Sequence, residues 1–173
     1  GDVMLNRWVA GANTSPLPVH GPIGVNAVVD GFMQAYYQDH LYRIAHHGEK
    51  IIPPTGFGGT PLTFGTPGAE QSVLIIDEPD LSIEAFSVNH SPIEPAVGYK
   101  VRYKDRTLVI SGDTRQSPAV LREAKGVDLL IHEALSNDLV GAMSTVAADS
   151  GRANLAQIFI DIQNYHTTPE QAA

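Results

Sequence analysis

The sequence predicts an α/β protein. Two observations set the class: short apolar runs of strand length between residues 71 and 131, and stretches of helical spacing before, between and after them. A third observation points to a site. Acidic and imidazole side chains stand where the predicted strands end: His90 in Asn89-His90-Ser91-Pro92, Asp113 in Ser111-Gly112-Asp113-Thr114, and His132-Glu133. His166, in Tyr165-His166-Thr167-Thr168, opens a helix near the end of the chain. In open α/β sheets ligands gather at the carboxyl ends of strands. The four positions are therefore read as one shared site, of a kind suited to a metal.

Residues 3–12 contain Val3, Met4, Leu5, Trp8 and Val9 and read as a buried strand or strand entry. Ser15-Pro16-Leu17-Pro18 continues extended, because a residue before proline avoids the α region. Across residues 25–40, Val28, Val29, Phe32, Met33, Tyr36 and Tyr37 recur at intervals of three and four, which predicts a helix. Residues 51–68 are rich in Gly, Pro and Thr and read as a long loop, either a lid or a solvated connector. No Gly-Lys-Ser/Thr follows it, so it is not a phosphate cradle.

Strands are expected over 72–76, 81–88, 97–103 and 107–111, the last two joined by a hairpin at Lys104-Asp105-Arg106. Ser117-Pro118 offers an N-cap and a favoured first helical residue for a helix to about Lys125, stopped by Gly126. Residues 127–131 form the next strand and 153–163 a helix. Thr168-Pro169-Glu170-Gln171 is a capping box. No repeat or linker interrupts residues 1–173, which read as a single, partial domain.

The 173 residues carry a net charge of −8 and no cysteine. The charge argues against phosphate neutralisation by a basic face. Without thiolates, a metal would be held by imidazole, carboxylate and water, which suits zinc, manganese or iron. No apolar run reaches membrane-spanning length and no leader pattern opens the chain, so no membrane partner is expected. The compartment is left open between cytoplasm and periplasm. The first residues read as core and the last as a helix in its first turn, so both ends are expected to be truncated.

The stretches AFSVNHSPIEPAVGYKVRY, TLVISGDTRQSPAVLREAKGVDLLIHEAL and YHTTPEQAA, with residues 8–24 and Tyr42-Arg43-Ile44-Ala45-His46-His47-Gly48, resemble the metallo-β-lactamase superfamily of metal-dependent hydrolases. The similarity is to its ribonuclease Z-like and arylsulfatase-like branch. The resemblance implies a four-layer αββα sandwich, incomplete here at both ends. It implies two divalent ions, zinc by default, with His90 as ligand to one and Asp113 bridging both. It implies that His166 protonates a leaving group and that Glu133 orients it. The family's His-x-His-x-Asp-His motif and its last histidine ligand are absent, so this chain alone is expected to bind metal weakly and to be inactive.

The ribonuclease Z group carries a long basic arm between the positions of His90 and Asp113, where this chain has room for one hairpin. With the acidic charge, that points to a small-molecule substrate (an ester, sulfate ester, phosphodiester or lactone), with nucleic acid unlikely and a homodimer left open. The alternatives are a ribonuclease Z-like phosphodiesterase on RNA, or a non-catalytic relative that has lost its ligands. Residue by residue, His90 could instead be a turn histidine and Asp113 a helix cap. Glu133 and His166 could be solvated. The cluster His40, His46, His47 and Glu49 lacks the His-x-x-x-His spacing of helical zinc sites and reads as histidines near the negative pole of a helix.

Overall fold

Strand direction is what brings distant parts of this sequence to one place. The computed structural model describes residues 1–173, and these fall into two compact units, Gly1–Gly65 and Thr66–Ala173.

The first unit opens with helix α1 (Asp2–Gly11), not the expected strand. Met4 and Trp8 stand four apart and are its two buried residues, so the apolar spacing is helical. Asp2 sits in the first turn, where a negative charge is favourable, and Ala12 ends the helix in the left-handed region at φ 45°. Trp8 Nε1 donates to the Pro53 carbonyl at 2.6 Å, and the ring meets Phe57 edge-on at 5.2 Å and His40 at 5.0 Å. Strand β1 (Leu17–Gly21) is followed by helices α2 (Val25–Ala35) and α3 (Tyr37–His47), so the predicted helix runs on past His40 with a break at Tyr36. The expected long loop contains strand β2 (Gly59–Thr63), which pairs with β1 in parallel from Leu17↔Gly59 to Gly21↔Thr63. Pro61 hid this strand from the sequence reading; proline is tolerated at a sheet edge, and β2 has a partner on one side only.

The second unit is built on a five-stranded sheet in the order β3-β4-β5-β6-β7. Strands β3 (Ser72–Glu78), β4 (Leu81–Ser87), β5 (Val97–Tyr103) and β6 (Arg106–Ile110) form an antiparallel meander. Helix α4 (Pro118–Glu123) then carries the chain to β7 (Leu129–Ile131), parallel to β6. Pro118 takes the first helical position as expected, although the Ser117 hydroxyl makes no capping bond. The core of the sheet is Phe86 and Val109, both 0% exposed, packed with Ala119 and Val120 of α4. Burying a side chain such as Phe86 contributes about 1.5–3 kcal/mol. Gly98 faces Phe86 across the β4–β5 pair, and a Cβ there would lie 2.5 Å from the Phe86 ring.

Helix α5 (Asn137–Asp149) has no counterpart in the sequence reading. Its cap is Ser136, which accepts from Leu139 N at 3.4 Å, and Asp138 lies in its first turn. It packs on α6 (Ala153–Asp161), where Ser144 Oγ donates to the Ala156 carbonyl at 2.9 Å. The last helix, α7 (Pro169–Ala172), is entered through the expected capping box: Gln171 N donates to Thr168 Oγ1 at 3.3 Å and Thr168 N to Gln171 Oε1 at 3.0 Å. No helix is long and apolar enough to cross a membrane.

Candidate active site

Strands β4, β6 and β7 run in the same direction, so their carboxyl ends lie along one edge of the sheet. His90 follows β4, Asp113 follows β6 and Glu133 follows β7. The Tyr165–Thr168 turn, just before α7, joins them through hydrogen bonds of Thr167 to Glu133 and Thr114. The sequence predicted these four residues for one site, and three of them are demonstrably drawn together.

Glu133 and His166 lie within hydrogen-bond reach, with His166 Nδ1 3.1 Å from Glu133 Oε1. The same carboxylate oxygen accepts backbone N–H groups from Thr114 at 3.2 Å and Thr167 at 3.0 Å. An oxygen that accepts from two amides is best matched by a proton on Nδ1 of the imidazole. That fixes one tautomer and leaves Nε2 for another partner. The His90 ring lies 5.4 Å from the His166 ring, nearly perpendicular at 75°, and 5.2 Å from Tyr165. His90 Nε2 is buried and has no hydrogen-bond partner.

Asp113 is exposed and makes no side-chain hydrogen bond within the protein. It is held in place by its neighbours. Gly112 adopts φ 64°, and a Cβ there would stand 2.5 Å from the Val97 carbonyl oxygen, so only glycine turns the chain here. On its other side Thr114 is 0% exposed. The Thr114 hydroxyl accepts from Asn89 N at 3.2 Å and donates to the Arg115 carbonyl at 2.7 Å. Its carbonyl accepts the Thr167 hydroxyl at 2.6 Å. Thr114 thus touches the residue before His90, the carboxylate of Glu133 and the residue after His166. Ser111, also buried, accepts the Glu133 amide at 3.1 Å through Oγ.

Sequence reasoning missed Thr114, Thr167 and Ser111. Each is adjacent or nearly adjacent to a predicted residue, but nothing in a lone hydroxyl's position tells that it is buried. His132 is turned to the Glu133 carbonyl, 2.6 Å from Nδ1, and does not join the group. In the other unit, His46 and His47 occupy the last turn of α3, while His40 packs on Trp8 and Phe57, where burial pushes its imidazole below the usual histidine range. No three His, Asp or Glu side chains converge closely enough to hold a metal ion.

No protein-family model matches the chain. Among curated relatives it is 30% identical over 175 residues to ribonuclease Z of Mycolicibacterium gilvum (strain PYR-GCK), an alignment covering 100% of this chain and 54% of that protein. It is 29% identical to a putative ribonuclease Z of Mycobacterium tuberculosis (strain CDC 1551 / Oshkosh), again along the whole chain and over 69% of the relative. Among solved structures, human tRNase Z, short form, superposes with a TM-score of 0.53 over 92% of this chain and 55% of that one, at 20% identity. Along its whole length the chain is similar to ribonucleases Z. Its fold is the α/β metallo-β-lactamase type that the motifs implied. The chain spans about half the length of most of the curated relatives it matches.

These relatives correct one expectation. A small-molecule substrate with nucleic acid unlikely was expected, and the relatives matched along the whole chain carry the name of a ribonuclease. Two premises fail. An aligned stretch of 175 residues against the 173 of this chain leaves no room for a long arm between His90 and Asp113 in those ribonucleases either. And net charge is a sum over the chain, which governs long-range attraction rather than the contacts made at one sheet edge.

Proposed function

We propose that the intact protein is a metal-dependent phosphodiesterase of the ribonuclease Z kind that cleaves RNA, with precursors of transfer RNA as the first substrates to try. The relatives named ribonuclease Z, matched along the whole chain, support the RNA reading, and the Glu133–His166 pair, 3.1 Å apart, beside a His90 whose buried Nε2 has no partner, supports the chemistry.

The donors fit a divalent cation. His90 offers an orphaned imidazole nitrogen, Asp113 a carboxylate free of protein hydrogen bonds, and the chain has no competing thiol. These two residues would hold the metal, zinc by default, and the remaining donors come from outside this pair, since a catalytic zinc takes about three protein ligands. A bound pair of divalent ions would supply Lewis-acid charge to activate water and to steady the phosphoryl oxygens. His166 delivers a proton from Nε2 to the leaving oxygen of the phosphodiester. Glu133, anchored by two backbone amides, keeps Nδ1 protonated and stabilises the imidazolium before that transfer. Thr114 and Thr167 hold the carboxylate in place.

The test is cleavage of a 3′-extended transfer RNA transcript by the intact protein, with zinc or manganese and with chelator. Metal-dependent release of the extension, lost in Asp113→Ala, supports the reading. Intact RNA under every metal condition sinks it.

A further inference from the structure

A cavity of about 280 Å³ opens beside His166 in the second unit. Its wall includes Arg115, Asn137, Gln163, Asn164 and His166; every lining residue is polar and none is acidic. No carboxylate lines it, although the chain as a whole carries a net charge of −8. The cavity's single permanent cation is Arg115. The Arg115 Nη2 donates to the Ser91 carbonyl at 3.0 Å, while Nε is buried with no acceptor. With Nη2 committed to Ser91 and Nε buried, the other terminal nitrogen, Nη1, is the guanidinium donor left for a ligand in the cavity, and an anionic phosphate oxygen is a stronger partner for it than any neutral group. The volume falls just below the range of about 300–1,000 Å³ for drug-sized ligand sites, which suits at most one nucleotide unit and not a duplex.

We infer that this cavity is a nucleotide subsite, in which Arg115 takes the phosphate of an unpaired ribonucleotide next to the scissile bond and the amide oxygens of Gln163 and Asn164, whose nitrogens already donate to the Phe159 and Ile160 carbonyls, accept from its base or sugar. The inference rests on the RNA-cleaving reading and deepens it. Because His166 stands on the cavity wall, the subsite lies on the leaving-group side of the bond.

The experiment is fluorescence anisotropy of a labelled single-stranded ribotetranucleotide titrated with the intact protein in chelator, so that binding is read without turnover. Inorganic phosphate is the competitor. Arg115→Gln should weaken binding about tenfold and lower the salt slope by about 0.7. Lys104→Asn removes an equal charge at the hairpin turn on the far end of β6 and should change binding less than twofold. Asn164→Ala, at an exposed position, gives a second reading that does not depend on the fold tolerating the arginine change, and should weaken binding about threefold. Unchanged affinity in both Arg115→Gln and Asn164→Ala, with RNA still bound and cleaved by the wild type, overturns the subsite and leaves the RNA reading standing. Failure of the wild type to bind or cleave RNA overturns both.

Discussion

Glu133 Oε1 lies 3.1 Å from His166 Nδ1, and the same oxygen takes the amides of Thr114 and Thr167. A carboxylate so held is an orienting group: its two amide donors fix the oxygen, and the oxygen fixes the ring. Glu133→Gln keeps the shape and removes the charge. We expect kcat on RNA to fall by about 10²-fold with KM little changed, the range of one acid–base element. A loss confined to KM would show that Glu133 serves binding and not proton delivery.

Part of this site was legible in the sequence because its residues fall at strand ends, and strand ends can be read from the apolar runs before them. The alternation in β5 and the run in β6 placed Asp113, and the capping box at Thr168 placed the turn that carries His166. What was not legible was tertiary. Thr114 and Thr167 are buried where the turn after β6 meets the turn before α7, 53 residues on in the chain. Helix α1 was misread because its core contacts, Met4 and Trp8, are set among apolar neighbours that also suit a strand. Strand β2 was hidden by Pro61, which an edge position tolerates.

Thr114 separates hydroxyl from methyl. Thr114→Val keeps the shape and leaves the Asn89 amide and the Arg115 carbonyl without their partner. Thr114→Ser loses one methyl. An unsatisfied buried group costs about 1–3 kcal/mol, and a buried methyl about 0.8 kcal/mol. The hydroxyl wins, so serine should be the more stable variant by about 1–2 kcal/mol in urea unfolding. Valine matching serine would mean that packing, not the hydrogen-bond hub, fixes this residue.

Glu84 gives the sheet a defined acid sensitivity. Its carboxyl is held below the usual value of 4.5, first by the Ser72 hydroxyl at 2.6 Å and then by Arg102. A group with a depressed folded pKa adds stability that is fully present above the unfolded value and is lost as pH falls through the folded one. Wild type should therefore lose stability relative to Glu84→Gln as pH drops below about 4.5, by less than about 1 kcal/mol because the pair is partly exposed. Thermal melts at pH 7 and pH 3 check this; a gap between the two proteins that does not narrow at pH 3 would exclude the linkage.

His90 carries the last prediction, on metal rather than on rate. Its Nε2 is buried without a partner, a condition that a protein pays for unless something binds there. Its nearest aromatic neighbours, Tyr165 and His166, meet it edge-on and leave that nitrogen uncommitted. If the nitrogen is a zinc donor, His90→Ala should lower zinc affinity of the intact protein by at least about tenfold, the lower end of what changes around a metal site cost. Absent zinc, the same change should cost little stability, since no hydrogen bond is lost. Isothermal titration with zinc and melting in chelator read the two effects separately. A large loss of stability in chelator with zinc affinity unchanged would make His90 a packing residue, wedged against Tyr165, and would leave Asp113 without its partner at the metal.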